Sequence, residues 1–191
     1  MPRKRSTNRT RNQVESLKHK DKRRRERVRQ DVAIRDLRAG DVEAIVEIAI
    51  AAWEPIYAHR RKVMGDALFE KLHSDWREGK AAEVRSACAR DAGADVCVAE
   101  DAGRVVGFIT FTSDDAAQVA EIGNNAVHPA FQGRGIGTAM YRHVFAKLKE
   151  RGVRYVKVTT GGDPAHAPAR RAYEKAGFSI QLPSVTYYRA L

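Results

Sequence analysis

The stretch that decides the fold is residues 127–141, VHPAFQGRGIGTAMY. Glycine recurs at Gly133, Gly135 and Gly137, which frees the backbone to curl so that successive N–H groups can point toward one anion. Apolar side chains then recur every four residues, at Ile136, Met140, Val144 and Leu148. This spacing predicts an amphipathic helix, and the positive end of its dipole faces the same point as the loop. The stretch is therefore predicted to bind a phosphate group.

Two common phosphate-binding motifs do not fit this loop. A nucleotide P-loop requires GxxxxGK[ST], and the loop has no such lysine, while the dinucleotide pattern GxGxxG fails from either Gly133 or Gly135. The pattern that fits is Gln-x-x-Gly-x-Gly, formed by Gln132, Gly135 and Gly137 after a predicted strand that ends at Val127. It resembles motif A of the GNAT acetyltransferase superfamily, whose loop binds the pyrophosphate of coenzyme A. A glycine-rich turn without a ligand is the alternative interpretation.

A second motif lies in residues 166–178, HAPARRAYEKAGF. It resembles motif B of the same superfamily, normally written Asn-x-x-Ala-x-x-aliphatic/aromatic-Tyr-x-Lys-x-Gly-Phe. The matching positions are Ala169, Tyr173, Lys175, Gly177 and Phe178. Two positions differ from the motif. His166 stands where the motif has an asparagine that forms a hydrogen bond toward the pantetheine region, and Ala172 replaces a bulkier side chain. The resemblance implies coenzyme A contacts at Val127, Gln132, Gly133, Arg134, Gly135, Ile136, Gly137, Thr138 and His166.

The catalytic candidates follow from what acetyl transfer from a thioester requires. The resemblance implies that Glu121, eleven residues before Gln132, accepts the proton of the amine, and partial burial would raise its pKa toward a useful value. An ordinary exposed glutamate is the alternative. His128 is the second candidate base, because imidazole titrates near neutrality. Tyr173 is the candidate acid for the departing thiolate, with a role in the buried core as the alternative.

The strand before the loop contains Gly123-Asn124-Asn125, which weakens regular pairing and predicts a β-bulge. The resemblance implies that this splayed strand pairs with the pantetheine arm, and that an N–H near Val127 polarises the thioester carbonyl. Stabilisation of developing charge by a fixed dipole is usually the largest catalytic term. The alternative is that the two asparagines simply end the strand.

Length and charge indicate one folded domain and a basic segment. The 191 residues are enough for one well-buried domain. Residues 1–30 hold 13 Lys or Arg against 3 Asp or Glu, whereas the rest of the chain holds 22 against 21. Residues 1–30 contain few large aliphatic side chains, so they are predicted to be disordered, and the folded domain is expected over residues 31–191. The charge indicates either non-specific contact with RNA or the ribosome, or a solvated extension.

Cysteine usage and hydropathy restrict the class of protein. Only Cys88 and Cys97 occur, without a CxxC pattern, which predicts reduced thiols and no metal site. Cys97 lies among apolar residues with no base nearby in sequence, so an acyl-enzyme at this thiol is not expected. No apolar run suits a membrane span or a signal peptide, and a cytoplasmic location is therefore expected.

Residue periodicity predicts the other elements. Strands are predicted at residues 32–37, 95–100, 105–112, 119–127 and 155–159. A helix capped by Asp41 is expected to stop at Pro55, and residues 63–90 predict two helices, or one helix broken near Gly79.

The C-terminal part of the chain is predicted to contain one helix and two closing strands. Because proline is tolerated in the first turn of a helix, the last helix is expected to start near Ala167 and to end at Gly177. Residues 178–180 and 185–190 are predicted to form the closing strands.

The resemblance as a whole implies an α/β fold, with a mixed, centrally splayed sheet flanked by helices on both faces. It implies direct transfer of an acetyl group from acetyl-CoA to a primary amine, which is a small amine or an amine on a protein or the ribosome. The alternative is a non-catalytic module that binds coenzyme A or nucleic acid. A homodimer is a further expectation, because closing strands often mediate pairing in this superfamily.

Overall fold

The computed structural model describes residues 32–89 and 91–191. The strands of this part are β1 (Val32–Asp36), β2 (Asp95–Asp101), β3 (Arg104–Asp114), β4 (Val119–Val127) and β5 (Tyr155–Val158). The helices are α1 (Val42–Met64), α2 (Asp66–His73), α3 (Trp76–Ala87), α4 (Ile136–Glu150) and α5 (Ala167–Ala176). The disordered basic segment predicted at residues 1–30 lies outside the described residues.

The five strands form one mixed sheet in the order β1-β2-β3-β4-β5. Neighbouring strands are antiparallel except for β4 and β5, which run parallel. β5 pairs only with residues 119–122 of β4, whereas β4 continues to Val127 along β3. The two parallel strands therefore separate beside residues 123–127, and this opening is called the gap below. The predicted splayed α/β sheet is confirmed.

Helices cover both faces of the sheet. On one face, the buried side chains of α4 pack with Tyr173 of α5 against the sheet; those of α4 are Ile136, Met140, Tyr141, Val144 and Leu148. On the other face, Ile45 and Ala49 of α1 and Val84 of α3 pack against Val98 and Phe108. Burying each such aliphatic side chain contributes about 1.5–3 kcal/mol, so the two apolar layers hold the gap between them in place.

The predicted bulge is present in the middle of the sheet. The register between β3 and β4 shifts between Ile109 and Phe111, opposite Gly123-Asn124. A side chain at position 123 would collide with Thr110, because its Cβ would lie 2.6 Å from the Thr110 hydroxyl oxygen. Glycine at this position therefore allows the two backbones to approach where the gap begins.

The prediction that the first helix stops at Pro55 was wrong. It runs through Pro55 and ends at Met64, although proline removes one backbone donor from the helix. The turns after Pro55 are held by tertiary contacts, since the ring of Tyr57 stacks on Trp76 with centroids 4.2 Å apart. The break in the following helical region lies between α2 and α3 and not at Gly79, which sits in the first turn of α3.

The prediction of two closing strands was also wrong. Residues 178–191, which the structure describes, form neither helix nor strand. Alternating apolar residues favour a strand only where another strand edge accepts the backbone hydrogen bonds, and none of the described strands pairs with residues 178–191.

The other boundaries around the two motifs agree with the sequence. β4 spans the predicted residues 119–127, and α5 begins after His166 and ends at Gly177, whose φ of +101° lies in the left-handed region. In the part of the chain that the structure describes, no helix is long and apolar enough to cross a membrane.

Candidate active site

The glycine loop ends at the start of α4. Gly133 and Gly135 have φ angles of +76° and +83°, a region that glycine enters without steric cost. Gly135 is the N-cap of α4, and the first turn of the helix contains no acidic residue. The first N–H groups of a helix have no partner within the helix, and together with the helix dipole they favour an anion. The loop has the properties predicted for a phosphate site.

Gly137 leaves open space beside the start of α4. A Cβ at this position would meet only Val127 Cγ2, at 4.0 Å, among the residues that the structure describes. Packing within this part of the protein therefore does not require glycine, although glycine costs about 1 kcal/mol relative to alanine inside a helix. The missing side chain leaves the start of α4 open to close approach by a phosphate group.

The two polar side chains of the loop contact the protein itself. The amide of Gln132 donates to the carbonyl of Val127 at 3.0 Å and ties the loop to the end of β4. The guanidinium of Arg134 lies 2.9 Å from the carboxylate of Asp101, at the turn between β2 and β3. The backbone of the loop is thereby held in shape, while its N–H groups remain the donors for a ligand.

The edge of β4 that faces the gap presents backbone N–H groups with no strand partner among the described residues. His128 N–H donates to the carbonyl of Val106 in β3 at 2.9 Å. Because N–H groups alternate between the two edges of a strand, the N–H groups of Val127 and Asn125 point toward the gap. This is the position at which the sequence predicted a donor for the thioester carbonyl.

Tyr173 lies on the α4 side of the gap. It is buried and makes edge contacts with Tyr141 and Phe178, at centroid distances of 6.0 and 5.9 Å. The hydroxyl of Tyr141 donates to Asn125 Oδ1 at 2.6 Å, and burial raises the pKa of Tyr141, so that this hydroxyl keeps its proton. The Tyr141–Asn125 bond was not predicted from the sequence, although both residues lie in or beside the first motif.

Glu121 lies on the opposite face of the sheet. Its neighbours Ala120 and Ile122 are buried beneath α4, so the alternation of side chains places Glu121 on the side of α1 and α3. Its carboxylate is 2.8 Å from Lys157 Nζ, and the side chain is 43% exposed. The second candidate base, His128, accepts the N–H of Ala130 at 3.2 Å and so caps a 3-10 turn.

His166 is held by a carboxylate in the next 3-10 turn. Its Nδ1 lies 2.6 Å from Asp163 Oδ2, and a side chain at Gly161 would collide with both groups. Burial opposes ionisation of Asp163, but its contacts with His166 and the N–H groups of Ala165 and His166 hold its pKa below the usual range. His59 of α1 approaches the same carboxylate at 4.0 Å.

Helix α1 brings these parts together at the open end of the gap. It contacts both 3-10 turns, Pro129–Phe131 after β4 and Pro164–His166 before α5. The glycine loop and His166 thus both follow or belong to turns that α1 contacts, while Tyr173 and Glu121 lie on opposite faces of the sheet.

A polar cluster beside the bulge was not predicted as a unit. The Lys80 cluster consists of Trp53, Lys80, Glu83 and Asn124. The ammonium of Lys80 is 2.5 Å from Glu83 and 3.2 Å from Asn124 Oδ1, and it lies 4.6 Å from the centre of the Trp53 ring. Of these four residues only Asn124 belongs to a stretch that the sequence singled out, and the packing of α1 and α3 beside β4 brings the four together.

Cys97 is buried within the sheet. Burial raises the pKa of its thiol to about 12, which keeps the sulfur protonated and poorly nucleophilic. Its neighbour Asp36 pairs with Lys147 at 2.5 Å, so this carboxylate already has a cationic partner, although His143 also lies nearby. An acyl-enzyme at this thiol is not supported by its surroundings.

Comparison with known proteins identifies the architecture. Residues 53–178 match the family model for the Acetyltransferase (GNAT) family. An uncharacterized N-acetyltransferase of Methanocaldococcus jannaschii is 35% identical over 86 residues, a match that covers 42% of this chain and only 37% of that protein.

Two solved structures share the fold. A GNAT-family protein from Desulfovibrio desulfuricans has a TM-score of 0.62 at 20% identity, over 79% of this chain and 87% of that one. The PaiA N-acetyltransferase of Thermoplasma acidophilum, solved with coenzyme A, has a TM-score of 0.59 at 19% identity, over 78% of this chain and 91% of that one.

Proposed function

The chain belongs to the GNAT acetyltransferase family, and from this premise we propose that it moves an acetyl group from acetyl-CoA directly to a primary amine. The observation that carries the proposal is the gap between β4 and β5, which opens toward the glycine loop at the start of α4. One opening thus offers an anion site and a row of free backbone donors.

Acetyl-CoA fits this opening by its chemistry and supplies an activated thioester. The backbone N–H groups of residues 133–138 hold the pyrophosphate, helped by the dipole of α4, while the N–H of Gln132 donates to the carbonyl of Pro129. The free edge of β4 accepts the amide-containing pantetheine arm as an additional strand would pair. His166, fixed by Asp163, borders the same opening at the start of α5.

Three groups of the chain perform the chemistry. The N–H groups of Asn125 and Val127 stabilise negative charge on the thioester oxygen. Glu121 accepts the proton of the attacking amine once its pairing with Lys157 is released, and Tyr173 donates a proton to the departing thiolate. Because Glu121 and Tyr173 lie on opposite faces of the sheet, the amine and the leaving group have separate proton-transfer partners.

The acceptor side favours an amine. On the face of α1 and α3, the carboxylates of Glu121 and Glu83 are paired with Lys157 and Lys80. The Lys157 side chain is 64% exposed, so an ammonium group of the acceptor can take its place beside Glu121. We propose a small amine or an amine on a protein or the ribosome as the acceptor.

The basic residues 1–30 support an acceptor near nucleic acid. Their excess of Lys and Arg favours counterion release on phosphate, and they contain no aromatic residue for base stacking. RNA binding by the full chain is expected to weaken with salt and to exceed that of a chain starting at Asp31. Equal RNA affinity of the two chains would remove this part of the proposal.

The decisive experiment combines binding and turnover. Acetyl-CoA is titrated calorimetrically into the full chain and into a Gly135→Glu variant, which places a carboxylate in the anion site. Binding only to the unaltered chain supports the cofactor site, and release of free thiol with a panel of amines then supports transfer. Binding without transfer to any amine would favour the non-catalytic coenzyme A module, and no binding by the folded chain would overturn the proposal.

A further inference from the structure

A buried lysine lies on the face of the sheet that carries Glu121. Lys80 is near the start of α3, and it is only 8% exposed. Lysine is rarely buried to this degree, because its ammonium group loses contact with water. The proposed transfer of an acetyl group to an external amine gives Lys80 no role, so the burial of this amine has to be explained separately.

The hydrogen bonds of the Lys80 cluster form a closed ring. Lys80 Nζ donates to Glu83 Oε2 at 2.5 Å and to Asn124 Oδ1 at 3.2 Å. The amide of Asn124 donates in turn to Glu83 Oε1 at 2.9 Å. The Trp53 ring, whose centre is 4.6 Å from Nζ, adds a cation–π contact. These contacts hold one primary amine in a fixed place beside β4.

The bulge in β4 brings this amine next to the gap. Asn124 follows Gly123, at the register shift where the gap begins. The side chain of Asn124 reaches α3, whereas that of Asn125 bonds to Tyr141 of α4, so the two side chains lie on opposite faces of the sheet. The N–H of Asn125 is one of the proposed donors to the thioester carbonyl. Lys80 is therefore bound to the residue adjacent to that donor.

Lys157 is a second lysine on this face, but its surroundings differ. Its Nζ is 2.8 Å from Glu121, and its side chain is 64% exposed. It lies opposite Glu121 in the part of the sheet where β4 and β5 are still paired. The ammonium group of Lys157 is therefore open to water and lies before the gap begins. Burial and contact with the bulge favour Lys80 as the lysine that meets a bound thioester.

We propose that the enzyme acetylates its own Lys80, an inference that rests on the proposed function. Nζ forms a bond to the carbonyl carbon of the bound thioester, and the bond between that carbon and sulfur breaks. Nζ loses two protons in the reaction. The first passes to Glu83 before the attack, and the second replaces the proton that Tyr173 gives to the departing thiolate. The product is a neutral amide, so the charge that pairs with Glu83 is removed.

Mass spectrometry of the full-length protein tests the proposal. The protein is incubated with acetyl-CoA carrying an isotope-labelled acetyl group, without an acceptor, and peptide mapping is expected to place the label on Lys80. The rate per chain should not change when the protein is diluted, because the amine and the cofactor site belong to one molecule. Lys147 is the internal control. It also pairs with a carboxylate, that of Asp36, but it lies on α4 and should remain unmodified.

Two variants separate this reaction from other acetylation. Gly135→Glu, which blocks the cofactor site, should leave Lys80 unmodified both as purified and after incubation. Lys80→Arg keeps a cation beside Glu83 but has no primary amine, so it should take up no label while retaining the circular dichroism spectrum of the parent. The mapping of the unaltered chain does not depend on either variant.

The outcomes distinguish this inference from the proposed function. Label on Lys157 or on other exposed lysines, with Lys80 unmodified, would overturn self-acetylation of Lys80. Equal labelling of Lys80 in the Gly135→Glu variant would do the same, because the reaction would then not require the bound cofactor. Release of free thiol with the panel of amines, together with an unmodified Lys80, would overturn the inference alone. A folded chain that neither labels Lys80 nor acetylates any amine would overturn both.

Discussion

Nδ1 of His166 lies 2.6 Å from Oδ2 of Asp163, and this contact fixes the imidazole at the start of α5. The carboxylate also accepts the N–H groups of Ala165 and His166, so it caps the 3-10 turn while it orients the ring. Nε2 is then the ring nitrogen available to a ligand. Motif B has an asparagine at this position, and here a half-buried histidine–aspartate pair replaces it.

The Asp163→Asn substitution is expected to make stability less dependent on pH. The pKa of Asp163 is lowered in the folded protein, so its ionised form stabilises the fold above about pH 4 and this contribution is lost as the pH falls through the lowered value. At neutral pH the free energy of unfolding of the parent protein and that of the Asp163→Asn variant should differ by less than about 1 kcal/mol, because the carboxylate is partly exposed. Thermal unfolding of both proteins from about pH 3 to pH 7 measures it.

The Asp163→Ala substitution serves as the comparison. Asparagine retains an oxygen that can cap the turn, whereas alanine does not, and loss of the cap should cost about 1 kcal/mol at every pH. A difference between the parent protein and Asp163→Asn that persisted at about pH 3 would contradict the role given to the charge.

The Gly137→Ala substitution is expected to separate stability from ligand binding. Alanine should stabilise α4 by up to about 1 kcal/mol, since its Cβ has room within the described structure. The same methyl group should weaken acetyl-CoA binding roughly tenfold by blocking the approach to the helix start. Calorimetric titration measures the change in acetyl-CoA affinity, and thermal unfolding measures the change in stability. The control is Gly79→Ala in α3, which is expected to raise the stability of the protein and to leave its acetyl-CoA affinity unchanged.

The Tyr173→Phe substitution is expected to reduce kcat by about 100-fold while leaving acetyl-CoA affinity almost unchanged. The ring contacts with Tyr141 and Phe178 remain in this variant, and only the hydroxyl is removed. Tyr155→Phe removes a hydroxyl from an exposed tyrosine on β5 and should have no effect. Unchanged turnover in Tyr173→Phe would remove this residue from the mechanism.

The Glu121→Gln substitution is expected to lower kcat/KM by about 100-fold, because the attacking amine loses the group that accepts its proton. Glu83→Gln is the matched variant, because Glu83 lies on the same face and also pairs with a lysine. A steady-state pH profile for each amine that serves as substrate is the measurement. A greater loss in Glu83→Gln would transfer the role of base to that residue.

The thiol of Cys97 is expected to resist disulfide exchange with thiol reagents in the folded protein. Its pKa is raised to about 12 by burial, and it is fully buried, whereas Cys88 is partly exposed. Ellman's reagent should therefore titrate Cys88 in the native state and both thiols only after unfolding. Rapid reaction of Cys97 in the folded protein would show that this part of the sheet opens readily.

Local sequence signals were sufficient for the motif regions. Glycines that adopt positive φ and apolar residues at a period of four specify the turn and the start of α4 without help from distant residues. The stretch Gly123-Asn124-Asn125 also indicated the bulge correctly, because these residues weaken regular strand pairing. The order of β4, loop and α4 could therefore be predicted correctly.

Predictions that depended on distant partners were less successful. Proline favours the end of a helix, but stacking of Tyr57 on Trp76 helps to hold α1 together beyond Pro55. Alternating residues favoured closing strands, but no edge of the same molecule receives residues 178–191 in the described structure. In both cases a local preference of the sequence did not decide the structure. A tertiary contact extended the helix, and the lack of a receiving strand edge in the described structure left the predicted strands unformed.

The sequence by itself determined the α/β order of elements, the glycine loop and the identity of the two motifs, because these depend on backbone freedom and side-chain period within short stretches. Only the tertiary structure decided that Glu121 pairs with Lys157 and that Tyr141 bonds to Asn125. Each of these contacts depends on how strands and helices or turns are brought together, and the residue types alone do not specify the distances between them.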